Sequence, residues 1–279
     1  MPGGVVTARS FNHELRFQCC DDAVLQCLKF VEAKPHMPGA SLASIDVNVV
    51  PAPDGYCMRF DNTDTTGGVD VMLDAAHAII RNVLLQDIGS GLLLHGASLR
   101  VAGSNIVLIG DKSAGKTTLS LKALSSGIHV YGDEHVLISA SELNTRPRTL
   151  RVKEGSIHVV TEMAAAIQQC PALINWDGSR IYSMAPETSD VRWQLAPYSV
   201  DHFICLSPNH DGSSDLEQWS SDETFQMAMT QCFLPDEGRG LSLAALHTWI
   251  GKAKCWNLRL GNLDQAIGLL QQVAIDHVR

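Results

Sequence analysis

Gly110-Asp111-Lys112-Ser113-Ala114-Gly115-Lys116-Thr117 follows directly on the apolar run Ile106-Val107-Leu108-Ile109. This spacing of glycine, lysine and threonine suits a polyphosphate. Glycines allow the backbone angles and close approach that turn successive N–H groups toward phosphate oxygens. Lys116 is placed to reach the β- and γ-phosphates, and the Thr117 hydroxyl to serve Mg²⁺. The residues from Thr118 to Ser126 read as a helix whose positive N-terminal end faces the phosphates. The expected cofactor is ATP with Mg²⁺, held by Gly110, Asp111, Lys112, Ser113, Ala114, Gly115, Lys116, Thr117 and Thr118.

Phosphoryl transfer also needs a group to handle the nucleophile's proton. Gly132-Asp133-Glu134 follows the short strand pattern Ile128-His129-Val130-Tyr131. Ligands in open α/β sheets sit at the C-terminal ends of strands, so this places two carboxylates near the nucleotide. Asp133 is the expected general base and Glu134 a metal or water ligand, with Lys116 counted among the catalytic residues. His95 ends the buried strand pattern Gly91 to Gly96, and reads either as a hydrogen-bonded structural residue or as a catalyst. Arg146, Arg148, Arg151 and Lys153 form a basic cluster in an acidic chain. They suit a clamp on the γ-phosphate or on a substrate carboxylate, or equally a solvated loop face. Trp176, Arg180 and Trp193 raise the idea of a peptide groove, although hairpin tryptophans usually just pack.

The elements that must position these groups divide into two textures. Residues 1–70 read as a small β-rich module: Ile45 to Val50 alternate like a half-buried strand, Pro51 to Gly55 mark a turn, and Asp22 to Ala33 suggest a helix. Asp61 to Gly68 reads as a loop. In the expected main domain, residues 71–279, apolar positions Met72, Ala75, Ala76, Ile79, Ile80, Val83 and Leu84 recur at helical spacing and predict a helix entering that domain. Ile174 to Tyr182 resembles a hairpin with Asp177-Gly178 in the turn. Leu216 to Phe233, Leu241 to Trp249 and Leu263 to Val273 read as helices. The fold class expected is α/β.

A chain of 279 residues with 45% hydrophobic content can bury a substantial core. Its net charge of −9 and lack of a long basic block argue against a nucleic-acid partner. The eight cysteines show no CxxC pair and no metal-ligand spacing, which reads as reduced thiols in a cytoplasmic protein. The N-terminus shows no leader pattern and no run is long enough to span a bilayer, so no membrane partner is expected. The reading admits a homo-oligomer.

Together, His95-Gly96, the loop with Asp111 inside it, and Gly132-Asp133-Glu134 resemble the core of HPr kinase/phosphorylase and its relatives. Arg148 to Ser156 is similar to a downstream segment of many of these proteins, and Leu258 to Asp264 to their last strand and helix. The resemblance runs from His95 to the end of the chain. It implies a P-loop kinase core like that of HPr kinase and phosphoenolpyruvate carboxykinase, with Asp133 as the catalytic carboxylate, His95 in the active site, and Lys116 and Thr117 on phosphate and Mg²⁺. It implies serine phosphorylation of a peptide or small protein, and among stand-alone relatives of this size, of the C-terminal serine of a lasso-peptide precursor. The short N-terminal region and the missing arginine-glycine signature depart from the bifunctional enzymes. HPr kinase/phosphorylase activity, a small-molecule kinase and a non-enzymatic nucleotide-binding regulatory module remain the alternatives.

Overall fold

The computed structural model describes residues 3–89, 91–174, 178–209, 212–235 and 238–278. Strands β1 (Gly4–Arg9), β2 (His13–Cys19), β3 (Ala43–Ala52), β4 (Gly55–Phe60) and β5 (Thr63–Gly67) form one sheet in sequence order. β5 lies where the threonine- and glycine-rich composition predicts a loop; it pairs antiparallel with β4, so ladder hydrogen bonds outweigh its weak strand propensity. Helix α1 (Asp22–Leu28) starts at Asp21, whose side chain accepts from the amides of Ala23 and Val24.

Helix α2 (Val69–Ile88) has the expected apolar stripe, but the stripe packs on the N-terminal sheet. Met72, Ala76, Ile80 and Val83 share one core with Leu15, Phe17, Val47 and Met58. By packing, α2 up to Val83 belongs with the N-terminal module, while Leu84 and Ile88 join Leu93 and Leu137 in a separate cluster. Its period dictates that one face is buried and is silent on the partner.

The main sheet is mixed α/β. β6 (Leu92–Val101) and β7 (Ser104–Ile109) pair antiparallel, then β14 (His202–Pro208) and β17 (Lys254–Leu260) add parallel to β7. β8 (His129–Gly132), β9 (His135–Ile138) and β10 (Leu143–Thr145) extend the β6 side, and β15 (Asp215–Gln218) and β16 (Cys232–Phe233) complete the sheet. β11 (Leu150–Lys153), β12 (Ala172–Ile174) and β13 (Arg180–Met184) make a separate small sheet. β12 and β13 pair as the expected hairpin arms, while Asn175, Trp176 and Asp177 lie outside the described residues.

β7 explains its own continuous apolar sequence. Ile106 and Leu108 enter the core on one face of the sheet, whereas Val107 and Ile109 enter the core on the other. β14 repeats the arrangement with Ile204 and Leu206 opposite Phe203 and Cys205. Strands buried on both sides cannot alternate apolar with polar.

Helices α3 (Lys116–Ser125) and α8 (Leu263–Val278) cover the first face; α6 (Ser221–Thr230) and α7 (Arg239–Lys252) cover the second. α4 (Glu154–Val159) and α5 (Ala164–Gln168) flank the small sheet. The helix expected from Leu216 begins later, because residues 215–218 pair with β17 and a capping box of Ser220 and Glu223 starts α6. Among the described residues no helix is long and apolar enough to cross a membrane.

Candidate active site

The 110–117 loop leaves the C-terminal end of β7 and enters α3, whose first helical residue is Lys116. Ser113 and Gly115 adopt left-handed φ values of +70° and +99°. Such residues turn neighbouring amides toward a common side. The φ of Gly115 requires glycine, and a Cβ there would also lie 2.5 Å from Leu260 Cδ2, so that side chain would have to shift. The N-terminus of α3 has no side-chain cap, and its free amides face a cavity of about 290 Å³. His95, Lys112, Ser113, Gly115, Lys116, Thr117, Thr118, Asp133, Arg151 and Lys153 all line that cavity. Gly110, Asp111 and Ala114 form the base of the loop, which Ala114 closes by donating its N–H to Asp111 O over 3.1 Å.

Lys116 is 6% exposed, and its Nζ donates to the carbonyls of Gly110 at 2.6 Å and Asp111 at 3.1 Å. Burial lowers its pKa, while Asp133 and Asp111 oppose that shift. Thr117 Oγ1 donates to Asp133 Oδ2 at 2.6 Å. Asp133 is 8% exposed, and burial raises its pKa against the opposing pull of the Thr117 hydrogen bond, Arg148, Arg151 and His95. Uncapped amides, an ammonium, a hydroxyl and a buried carboxylate are the donor set that a polyphosphate with Mg²⁺ requires, so the residues fit MgATP.

The two neighbouring acids diverge. β8 and β9 run along the same edge of β6, broken by a bend at Asp133 and Glu134. At this bend Asp133 faces Thr117, whereas Glu134 pairs with Arg148 and lines a second cavity. Glu134 is thus turned away from Thr117, its expected companion at the metal. No group of three or more His, Cys, Asp or Glu suited to a metal is present among the described residues.

His95 is held by Gln231, a residue that sequence patterns did not single out. Gln231 Nε2 donates to Asp111 Oδ1 and to Thr230 Oγ1, both at 3.0 Å, which aims its Oε1 at His95 Nδ1 3.3 Å away. Nδ1 is thereby the donor and Nε2 keeps the lone pair. Burial, followed by the charge of Lys116, lowers the His95 pKa, so the ring is neutral at pH 7. Gly96 permits this placement, because a Cβ there would lie 2.7 Å from Leu108 O on β7.

The basic cluster divides. Arg151 and Lys153 line the cavity at the start of α3, whereas Arg146 and Arg148 line the second. Arg151 lies 3.8 Å over the Phe30 ring and donates to Phe30 O at 2.5 Å, which ties the N-terminal module to the site. Burial pulls all three arginines below the usual guanidinium range. Ser156, also missed by sequence, faces the loop helix through a 3.0 Å hydrogen bond to Thr118 Oγ1. Trp193 is 3% exposed and donates Nε1 to Tyr131 O, a packing role that removes it from any groove.

No family model and no curated protein matches the sequence. A structure described as the HPr(Ser) kinase/phosphatase from Coxiella burnetii is similar over 66% of this chain and 89% of its own, at 10% identity and a TM-score of 0.31.

Proposed function

We propose that this protein is an ATP-dependent kinase that phosphorylates a serine hydroxyl of a peptide or small protein. The observation that carries this reading is the Thr117–Asp133 hydrogen bond of 2.6 Å beside the uncapped N-terminus of α3. It brings the 110–117 loop, the Thr117 hydroxyl and a desolvated carboxylate into one cavity.

Bound MgATP supplies the transferable phosphoryl group. Lys116 and the loop amides hold phosphate charge, and Arg151 and Lys153 add positive charge across the cavity. Asp133 accepts the proton of the acceptor hydroxyl; its raised pKa makes it the stronger base for that step. His95, neutral and with Nε2 unprotonated, is the other base lining the cavity. The choice of serine, and its extension to the C-terminal serine of a lasso-peptide precursor, draws on the family resemblance of the motifs.

The test is transfer of labelled phosphate from ATP to serine peptides, to HPr and to small hydroxyl compounds, analysed by mass spectrometry. Labelled serine on a peptide is the expected outcome. Nucleotide binding without transfer to any acceptor would leave a regulatory nucleotide-binding module, and labelling confined to HPr or to a small molecule would replace the substrate class.

A further inference from the structure

The second cavity measures about 570 Å³, within the range of small-ligand sites. Its two walls come from different parts of the molecule. α2 of the N-terminal module contributes Asp74, His77 and Arg81, and the main domain contributes Glu134, His135, Arg146 and Arg148. Glu134 is adjacent in sequence to Asp133, so this chamber adjoins the phosphate cavity.

Its charge is specific. Burial, reinforced by neighbouring arginines, drives His77 and His135 down to a pKa of about 3, so both rings are neutral at pH 7. Three guanidiniums facing two carboxylates leave one net positive charge. A carboxylate neutralises that charge, whereas a phosphate dianion exceeds it.

The donors point the same way. Arg146 Nη1 donates to His135 Nδ1 at 3.2 Å, which leaves the proton of the neutral ring on Nε2. Arg146 Nε is buried with no hydrogen-bond partner among the described residues. An unmatched buried guanidinium is costly, and negative charge drawn into the adjoining cavity offsets part of that cost. Beside these donors stand two apolar side chains, Leu85 at 47% and Phe233 at 56% exposure. Anion-binding groups flanked by open apolar surface suit the end of a peptide, where a free carboxylate and a hydrophobic side chain lie one or two residues apart.

We propose that this chamber binds the C-terminal carboxylate of the peptide acceptor, with Arg146 and Arg81 as its cationic partners and the N-terminal module as one wall. The term acceptor rests on the kinase reading; the binding of a carboxylate-ended peptide does not. Arg148, already paired with Glu134, shapes the wall between the two cavities.

The experiment is calorimetry on the full chain without nucleotide, using three probes: N-acetyl-Ala-Ala-Leu-Ser as the free acid, the same peptide amidated, and its amidated phosphoserine form. The free acid is expected to bind about 10-fold or more tightly than the amide. Arg81→Gln, on an exposed position, and Arg146→Gln should each erase that preference. A separate titration with MgATP should give the wild-type affinity in both variants. Equal binding of acid and amide, no binding of either, tighter binding of the phosphoserine peptide, or a preference that survives Arg81→Gln would overturn the proposal. Loss of MgATP binding by the wild type with the peptide preference intact would overturn the kinase reading instead.

Discussion

Thr117 Oγ1 donates to Asp133 Oδ2 over 2.6 Å, across 16 positions of sequence. Burial raises the pKa of Asp133, and this hydrogen bond, followed by the charges of Arg148 and Arg151, pulls it back toward the carboxylate. Asn at this position retains an oxygen to accept from Thr117 but loses the basicity. Asp133→Asn is expected to bind MgATP and to lose phosphoryl transfer by roughly 10²–10⁴-fold. Steady-state kinetics beside calorimetry checks it; an equal loss of ATP affinity would assign Asp133 to the metal instead.

Lys116 rests its ammonium on the carbonyls of Gly110 and Asp111. Removing it takes a charge-assisted phosphate contact away, while alanine remains a good residue for the first position of α3. Lys116→Ala should weaken MgATP by about 10- to 150-fold, equivalent to about 1.5–3 kcal/mol. The circular dichroism spectrum should not change. Equal calorimetric affinity in the two proteins would refute the loop's role.

Gly115 combines a φ of +99° with a 2.5 Å approach of its would-be Cβ to Leu260 Cδ2. Gly115→Ala should cost about 1–3 kcal/mol of stability through backbone strain alone. It should also weaken MgATP, because the amides that follow it must move. Denaturant titration together with nucleotide binding measures both effects, and a variant of wild-type stability and affinity would contradict the loop geometry.

His77 and His135 are both lowered to a pKa of about 3, and His95 is lowered as well. In the unfolded chain each takes up a proton near pH 6.5, whereas in the folded chain it resists doing so. The unfolded state then binds more protons, so stability is fully present above about pH 6.5 and falls as the pH drops toward about 3. Each fully resistant histidine contributes roughly 1.4 kcal/mol per pH unit in that window. His135→Gln should flatten the dependence of the melting midpoint on pH between about 5 and 7. An unchanged slope would mean that His135 protonates freely in the folded protein.

Ser220 accepts from the Glu223 amide and starts α6, which delivers Gln231 to His95. Ser220→Ala should cost about 0.5–2 kcal/mol, read from denaturant midpoints. A loss well below that range would show that tertiary contacts set the start of the helix.

The strand–loop–helix turn at residues 110–117 was legible in the chain because its signal is local: glycine at Gly110 and Gly115, then Lys116 and Thr117, prescribe a backbone conformation within eight residues. The helical period of Met72 to Leu84 and the hairpin arms around Gly178 were legible for the same reason. The partners were not. The stripe of α2 carries a period but no address, and only the packed structure sets it on Phe17 and Met58. Strand β14 is apolar on both faces, and a short apolar run of this kind does not tell strand from helix. Asp133 and Glu134 read as one acidic pair, yet the bend between β8 and β9 sends them to different cavities. Arg146 and Arg151 read as one basic cluster, yet Phe30 stands over one and His135 bonds the other. Gln231 carries no pattern at all; it reaches His95 from 136 positions away because β16 pairs with β6. The sequence by itself determined the chemistry that a short segment can encode. Tertiary structure alone decided which groups share a cavity, since that depends on contacts between segments with no sequence relation to one another.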